Sequence, residues 1–442
     1  MRTVIRNARI VNEDTVTEAD LLIAGDRIER IGPAIEAPGA DEVDAAGRYL
    51  LPGIIDDQVH FREPGLTHKA CIATESRAAV AGGTTSFMDM PNVKPPSLTR
   101  ELLEARYAIA AEQSPANYSF YMGVSNDNVE EVLRTDPRNV CGIKIFMGSS
   151  TGNMLVDDES VLGRVFGGAP CLIALHCEDE ARIRARSAVY RQRYGEEVPF
   201  HCHPEIRDVE ACWLSSSKAA RLAREKGTRL HILHLTTDQE LELFEPGPVA
   251  GKRITAEACV HHLWFDASAY GEHGSAIKCN PAIKDARHKA AVRQALVDGR
   301  IDVIATDHAP HTPEEKAGTY FHAPAGLPMV QHSFHIAVDV AAEEGWELPF
   351  LARKMSHAVA DCFDIAERGY LREGYFADLF LYDPERPWTV SKDNILHRCG
   401  WSPWEGHTFR GTVTDTWVNG TRVWHEGALT GERPGRRLAF AR

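Results

Sequence analysis

Five stretches place a residue that can bind a metal or move a proton within or at the end of an apolar run. The first is Gln58-Val59-His60-Phe61-Arg62. Alternate positions on a strand share a face, so Gln58, His60 and Arg62 can point into one cavity. A lone histidine in such a strand is as readily structural as functional, so this stretch gains weight only from the others. In "CGIKIFMGSS", Lys144 lies in an apolar strand, where a buried ammonium is costly unless something relieves it. Its charge can escape to the strand end, it can bind a substrate anion, or its neutral amine can take up CO2 as a carbamate that bridges two cations. His176 in "IALHCED" and His234 in "HILHLTT" each close a β-rich run. His231 and His234 are three apart and face opposite sides of a regular strand; His234, nearer the end, is the better ligand and His231 the structural residue. In "DVIATDHAPHTPEEK", Asp307 follows an apolar strand, so its carboxylate can touch a metal and shuttle a proton. A carboxylate, histidines and a lysine at the ends of separate strands point to a metal hydrolase, and imidazole donors suit zinc.

Other residues have the character of substrate contacts. Asn92 in "MDMPNVKPP" and Asn280 in "AIKCNPAIK" follow strand-like segments, though each can be a turn residue. His308 and His311 follow Asp307 in its loop. Arg62 differs in kind. A guanidinium beside a metal centre needs an anion nearby, and its fork matches a carboxylate, which points to a small acidic substrate.

Such ends must be presented by a common scaffold. Segments such as "TRELLEARYAIAAEQ", "RDVEACWLSSSKAARLAREKG" and "ARHKAAVRQALVDG" read as helices and alternate with short buried-type strands. Sustained over about 300 residues, this alternation predicts an α/β fold, a (β/α)8 barrel with its active site at the C-terminal strand ends. A doubly wound sheet is the alternative, weakened because polar residues recur at so many different strand ends. Both chain ends are β-rich, and Asn419-Gly420 between two β-type runs signals a hairpin. The boundaries expected are 1–52 and 366–442 for the two parts of one β-sandwich, with the barrel over 53–365.

The 442 residues suffice for a large core plus a smaller unit. A net charge of −14 without a basic block argues against nucleic-acid binding. No apolar run is long enough to cross a bilayer, and the first residues lack the pattern of a secretory signal. The ten cysteines show no C-x-x-C spacing, so free buried thiols in a cytoplasmic enzyme are expected.

Taken in order, "GIIDDQVHFREPG", "MDMPNVKPP", "GIKIFMGSS", "LHCED", "LHILHLTT", "AEACVHHL", "KCNPAIK", "IATDHAPHTPEEK" and the tail "GERPGRRLAFAR" resemble the motifs of the dihydroorotases, within the cyclic amidohydrolases. The resemblance covers nearly the whole chain. It implies one or two zinc ions at the mouth of a distorted (β/α)8 TIM-like barrel, beside a β-sandwich made from both ends. It also implies a carboxylated Lys144 as the bridging ligand, with His176 and His234 on one metal and His60 and Asp307 on the other. Arg62, Asn92 and His311 match residues that hold the substrate carboxylate, and Asn280 one that contacts the ring amide. The implied reaction is reversible hydrolysis of (S)-dihydroorotate to N-carbamoyl-L-aspartate, with Asp307 as the proton carrier, and self-association without a fixed subunit number. Hydantoinases, dihydropyrimidinases and allantoinases share the metal framework, and a non-catalytic scaffold is a further alternative. The pattern breaks at Gln58, where the family carries the first histidine of His-x-His. A carboxamide is a weaker zinc donor than imidazole, so a mononuclear centre is chemically reasonable.

Overall fold

The computed structural model describes residues 2–148 and 154–442. Ser149 and Ser150 of the Gly/Ser-rich stretch after Lys144 lie outside the described residues. Eight strands form the barrel: β1 (Ile54–Val59), β2 (Thr84–Asp89), β3 (Asn117–Phe120), β4 (Ile143–Phe146), β5 (Ile173–His176), β6 (Leu230–Ile232), β7 (Ile254–Cys259) and β8 (Val303–Ala305). The short run Met122–Gly123 continues β3 and pairs with β4. Neighbours are parallel, from β1 to β3 and from β4 to β8. A parallel bridge between Val59 and His308 brings the end of β8 back to β1, which closes the barrel and excludes the doubly wound alternative.

Nearly every residue of these strands is buried, as expected where helices cover one face and packed side chains fill the other. The helices begin and end where sequence chemistry directs. Thr99 accepts from the Leu102 amide ahead of Arg100–Gln113, and Asp208 from the Ala211 amide ahead of Val209–Lys226. The latter helix stops at Gly227, whose left-handed backbone closes its last turn.

Both chain ends meet in one nine-stranded sheet that builds the β-sandwich. The N-terminal strand Tyr49–Pro52 pairs antiparallel with the C-terminal strand Leu379–Asp383, with Leu50 opposite Leu381. Ile5, Ile10, Leu21, Ile23, Leu379 and Trp417 pack together as its core. The Asn419-Gly420 hairpin forms between Thr412–Val418 and Thr421–His425. All ten cysteines are free and buried. Among the described residues, no helix is long and apolar enough to cross a membrane.

Candidate active site

Gln58, Lys144 and His176 stand within the last residues of their strands and the other polar residues in the loops that follow, so side chains from seven strands or their following loops reach one mouth. Gln58, His60, Arg62, Asn92, Lys144, His176, His234, Asn280, Asp307 and His311 all line a cavity of about 540 Å3, with Leu66, Lys69, Lys94 and the Pro324–Gly326 segment completing it. The structure thus gathers every residue singled out in the sequence for metal or substrate, with His308 alone of its loop left outside.

Two contacts organise the donors. On one side, His60 Nε2 lies 3.0 Å from Asp307 Oδ1, and the Gln58 side-chain amide donates to the same oxygen at 3.2 Å. His60 Nδ1 meets Asn92 Oδ1 at 2.8 Å, so Nδ1 carries the proton and Nε2 turns its lone pair towards the carboxylate. On the other side, His176 Nε2 lies 3.0 Å from Glu178 Oε2, which leaves His176 Nδ1 facing His234 Nε2 at 3.0 Å. Among the described residues, His234 Nδ1 has no hydrogen-bond partner. Lone pairs that converge with nothing between them are the donor arrangement a cation satisfies. Lys144 completes it: its amine is buried with no hydrogen-bond partner among the described residues and sits 4.6 Å from the Phe146 ring centroid. Burial pushes this amine down to about 7, against the opposing pull of Asp307 and Glu257. Burial also depresses His176 and His234, which keeps both imidazoles neutral and able to donate to a metal. The residues present fit a divalent cation.

The backbone at this mouth is strained. Arg62, His234 and Asp307 adopt φ values of 66°, 41° and 51°, a left-handed conformation uncommon outside glycine. His234 departs from strand geometry just after β6, so the opposite-face rule for positions three apart does not govern it. Gly326 is required for another reason: a Cβ there would approach the Ala309 carbonyl oxygen to 2.4 Å, at φ +135°.

Arg62 is buried and already engaged. Its Nε donates to the Pro310 carbonyl at 3.2 Å, and its Nη2 contacts His311 Nε2 at 3.1 Å. Burial lowers Arg62 to about 10, with Asp307, Asp89 and Glu315 opposing the shift. Lys69, which sequence reasoning missed, lies 3.1 Å from His311 Nδ1 and 3.0 Å from Glu315 Oε1. Burial and the neighbouring Arg62 and Lys69 cations drive His311 far below the usual imidazole range. Glu178 was also missed, although its position two residues after His176 was a usable signal; Arg207 pairs with its carboxylate. His308 lies outside the cavity, with Nε2 2.9 Å from the buried Glu75.

Among the described residues, three groups hold His, Cys, Asp or Glu donor atoms within 4.8 Å of one another: Cys259–His261–His262, Glu75–His308–His397 and Asp57–His231–Glu257. None is the set at the mouth, where the expected ligands stand as two pairs and an amine.

Comparison with known proteins gives a consistent picture. The profile of the amidohydrolase family matches residues 178–423, and that of dihydro-orotase-like proteins matches residues 47–203. An allantoinase of Streptomyces avermitilis is 31% identical over 99% of this chain and 98% of its own. A dihydroorotase of Halobacterium salinarum is 32% identical over 92% of this chain and 93% of its own. The solved L-hydantoinase (dihydropyrimidinase) of Arthrobacter aurescens superposes with a TM-score of 0.92 over 99% of both chains at 23% identity, a likeness of fold. Family, fold and donor chemistry agree: the chain belongs to the amidohydrolase family, as one of its metal-dependent cyclic amidohydrolases.

Proposed function

We propose that the chain opens a small cyclic amide or ureide by hydrolysis, with a neutral ring of the allantoin or hydantoin kind as substrate. The observation that carries this reading is the convergence of the His60–Asp307 and His176–His234 pairs on one cavity with the Lys144 amine, which has no hydrogen-bond partner among the described residues. The choice of a neutral ring rests on charge. Arg62 spends Nε and Nη2 on Pro310 and His311 and Lys69 is paired with Glu315, which narrows the positive charge open to a substrate anion to Lys94 and the remaining edge of the guanidinium. The near-complete match to allantoinases supports the same choice.

His60, Lys144 as its carbamate, His176, His234 and Asp307 would hold zinc, with Gln58 as the weakest donor. When bound, the metal supplies Lewis-acid polarisation of the ring carbonyl and lowers the pKa of water. Asp307 takes a proton from the attacking water and delivers it to the departing ring nitrogen. The Gln58 amide, donating at 3.2 Å, fixes the Asp307 oxygen that does this. Asn92 and Asn280 orient the ring, and the enclosed mouth keeps the amide in line with the attacking water.

A second reading, hydrolysis of (S)-dihydroorotate to N-carbamoyl-L-aspartate, is favoured by the Arg62–His311 contact, since a substrate carboxylate can replace His311 on the guanidinium. The test is a side-by-side assay of the zinc- and bicarbonate-supplied protein on allantoin, hydantoin, dihydrouracil and dihydroorotate. Turnover of dihydroorotate alone replaces the first reading with the second, and ring opening of none of them sinks both.

A further inference from the structure

His231 is the histidine that the mouth leaves out. It points into the barrel below the cavity, towards Asp57 from β1 and Glu257 from β7, and all three residues are fully buried. We propose that Asp57, His231 and Glu257 form an interior binding site for a divalent cation of the zinc class, separate from the mouth.

The geometry is that of donors held from outside. His231 Nδ1 meets Thr255 Oγ1 at 2.8 Å, with Cys362 Sγ further off at 3.7 Å, which directs Nε2 at the carboxylates. Oε1 of Glu257 accepts from the His234 backbone amide at 3.0 Å and from Cys259 Sγ at 3.1 Å. That leaves Glu257 Oε2 without a hydrogen bond among the described residues, 4.0 Å from His231 Nε2. Asp57 Oδ2 lies 3.2 Å from the same nitrogen, yet among the described residues neither Asp57 oxygen takes part in an aligned hydrogen bond. Ligands about 2.0–2.2 Å from a tetrahedral zinc stand roughly 3.3–3.6 Å apart, a range bracketed by the 3.2 Å and 4.0 Å separations from His231 Nε2, with all three donor atoms within 4.8 Å of one another.

Charge points the same way. Without a metal the triad stays balanced only if Glu257 keeps a proton, which burial beside Asp57 favours, whereas a divalent cation on neutral imidazole balances both carboxylates in their ionised form. The strand itself is adapted to the task. The β1–β2 register shifts between Asp56 and Val59, so β1 reaches the interior through Asp57 and the mouth through the adjacent Gln58.

An ion enclosed here would enter as the chain folds and exchange slowly. The experiment uses the full chain expressed with supplemental zinc and then dialysed exhaustively against a chelator. A single molar equivalent of zinc is expected to remain in the wild type and in the mouth variant His176→Ala, and to vanish in Asp57→Asn. Anomalous diffraction at the zinc edge from wild-type crystals is expected to show a peak between Asp57, His231 and Glu257. This reading stands without Asp57→Asn should that variant fail to fold. A chelated wild type that is free of metal, or an anomalous peak at the mouth alone, overturns the site and assigns the triad a shared proton. Ring-opening activity is assayed separately, so an active enzyme without the interior peak removes this inference and leaves the proposed function intact.

Discussion

Asp307 Oδ1 accepts from the Gln58 amide at 3.2 Å and faces His60 Nε2 at 3.0 Å, so the proposed proton carrier is held by Gln58 across the barrel seam. The same seam is tied through the backbone, where the His60 amide donates to the His308 carbonyl at 2.7 Å. The carboxylate therefore needs no rearrangement of its own strand to face the ring nitrogen.

Replacing Asp307 with Asn keeps the shape and removes the proton acceptor. Ring-opening kcat is expected to fall roughly 10²–10⁴-fold with an unchanged circular dichroism spectrum. Retention of wild-type kcat would dismiss Asp307 as the proton carrier.

Gln58→His restores an imidazole beside His60 and gives up the amide bond to Asp307. Metal content measured on dialysed protein should rise, and affinity should tighten at the His60–Asp307 side. Gln58→Ala, which removes the bond without adding a donor, should leave the metal content unchanged or lower. Equal metal content in wild type and Gln58→His would mean that the carboxamide does not limit binding.

Lys144 links the site to pH. Its folded amine titrates near 7 and an unfolded one near 10.5, so the folded chain binds fewer protons between those values. Stability of the metal-free protein should therefore rise with pH across that window, by at most about 1.4 kcal/mol per pH unit, with the penalty fully present below pH 7. Lys144→Met should flatten this dependence in chemical denaturation. In the same pH range, bicarbonate should stimulate metal uptake by the wild type as the neutral amine becomes available, and should have no effect on the variant.

Arg62→Met separates the two substrate readings. Loss of the guanidinium should cost less than about tenfold in kcat/KM on a neutral ring. It should cost on the order of 100-fold or more on dihydroorotate, whose carboxylate would lose a charge-assisted pair.

Glu178→Gln tests the support behind His176. The carboxylate holds His176 Nε2 at 3.0 Å, and weakening such a partner commonly lowers metal affinity 10–100-fold. Isothermal titration of zinc into the metal-free variant measures the change.

The barrel and its mouth were legible because strand-terminal polar residues interrupt otherwise apolar runs, a pattern that survives without coordinates. Asp307 and His176 stood out for that reason. Glu178, Lys69 and the interior triad did not, because their meaning depends on contacts across the chain. Asp57 touches His231 from a residue 174 positions away in sequence, and no local spacing encodes that. The His234 backbone was hidden for a related cause: φ of 41° follows from tertiary packing just past β6, not from any glycine or asparagine in "HILHLTT". Substrate identity was the least legible part. An isolated Arg62 suggests an anion, whereas the folded Arg62, paired with Pro310 and His311, allows a neutral ring.

The sheet shared by the two chain ends also sets an order of events during synthesis. Tyr49–Pro52 leaves the ribosome early, but the strand that covers its edge, Leu379–Asp383, emerges only after the whole barrel. For most of translation the first fifty residues therefore present an open β edge, the kind of surface that recruits wrong partners. Nascent chains arrested before residue 379 should be the species most dependent on chaperones, and the chain's last strands act as its closing latch.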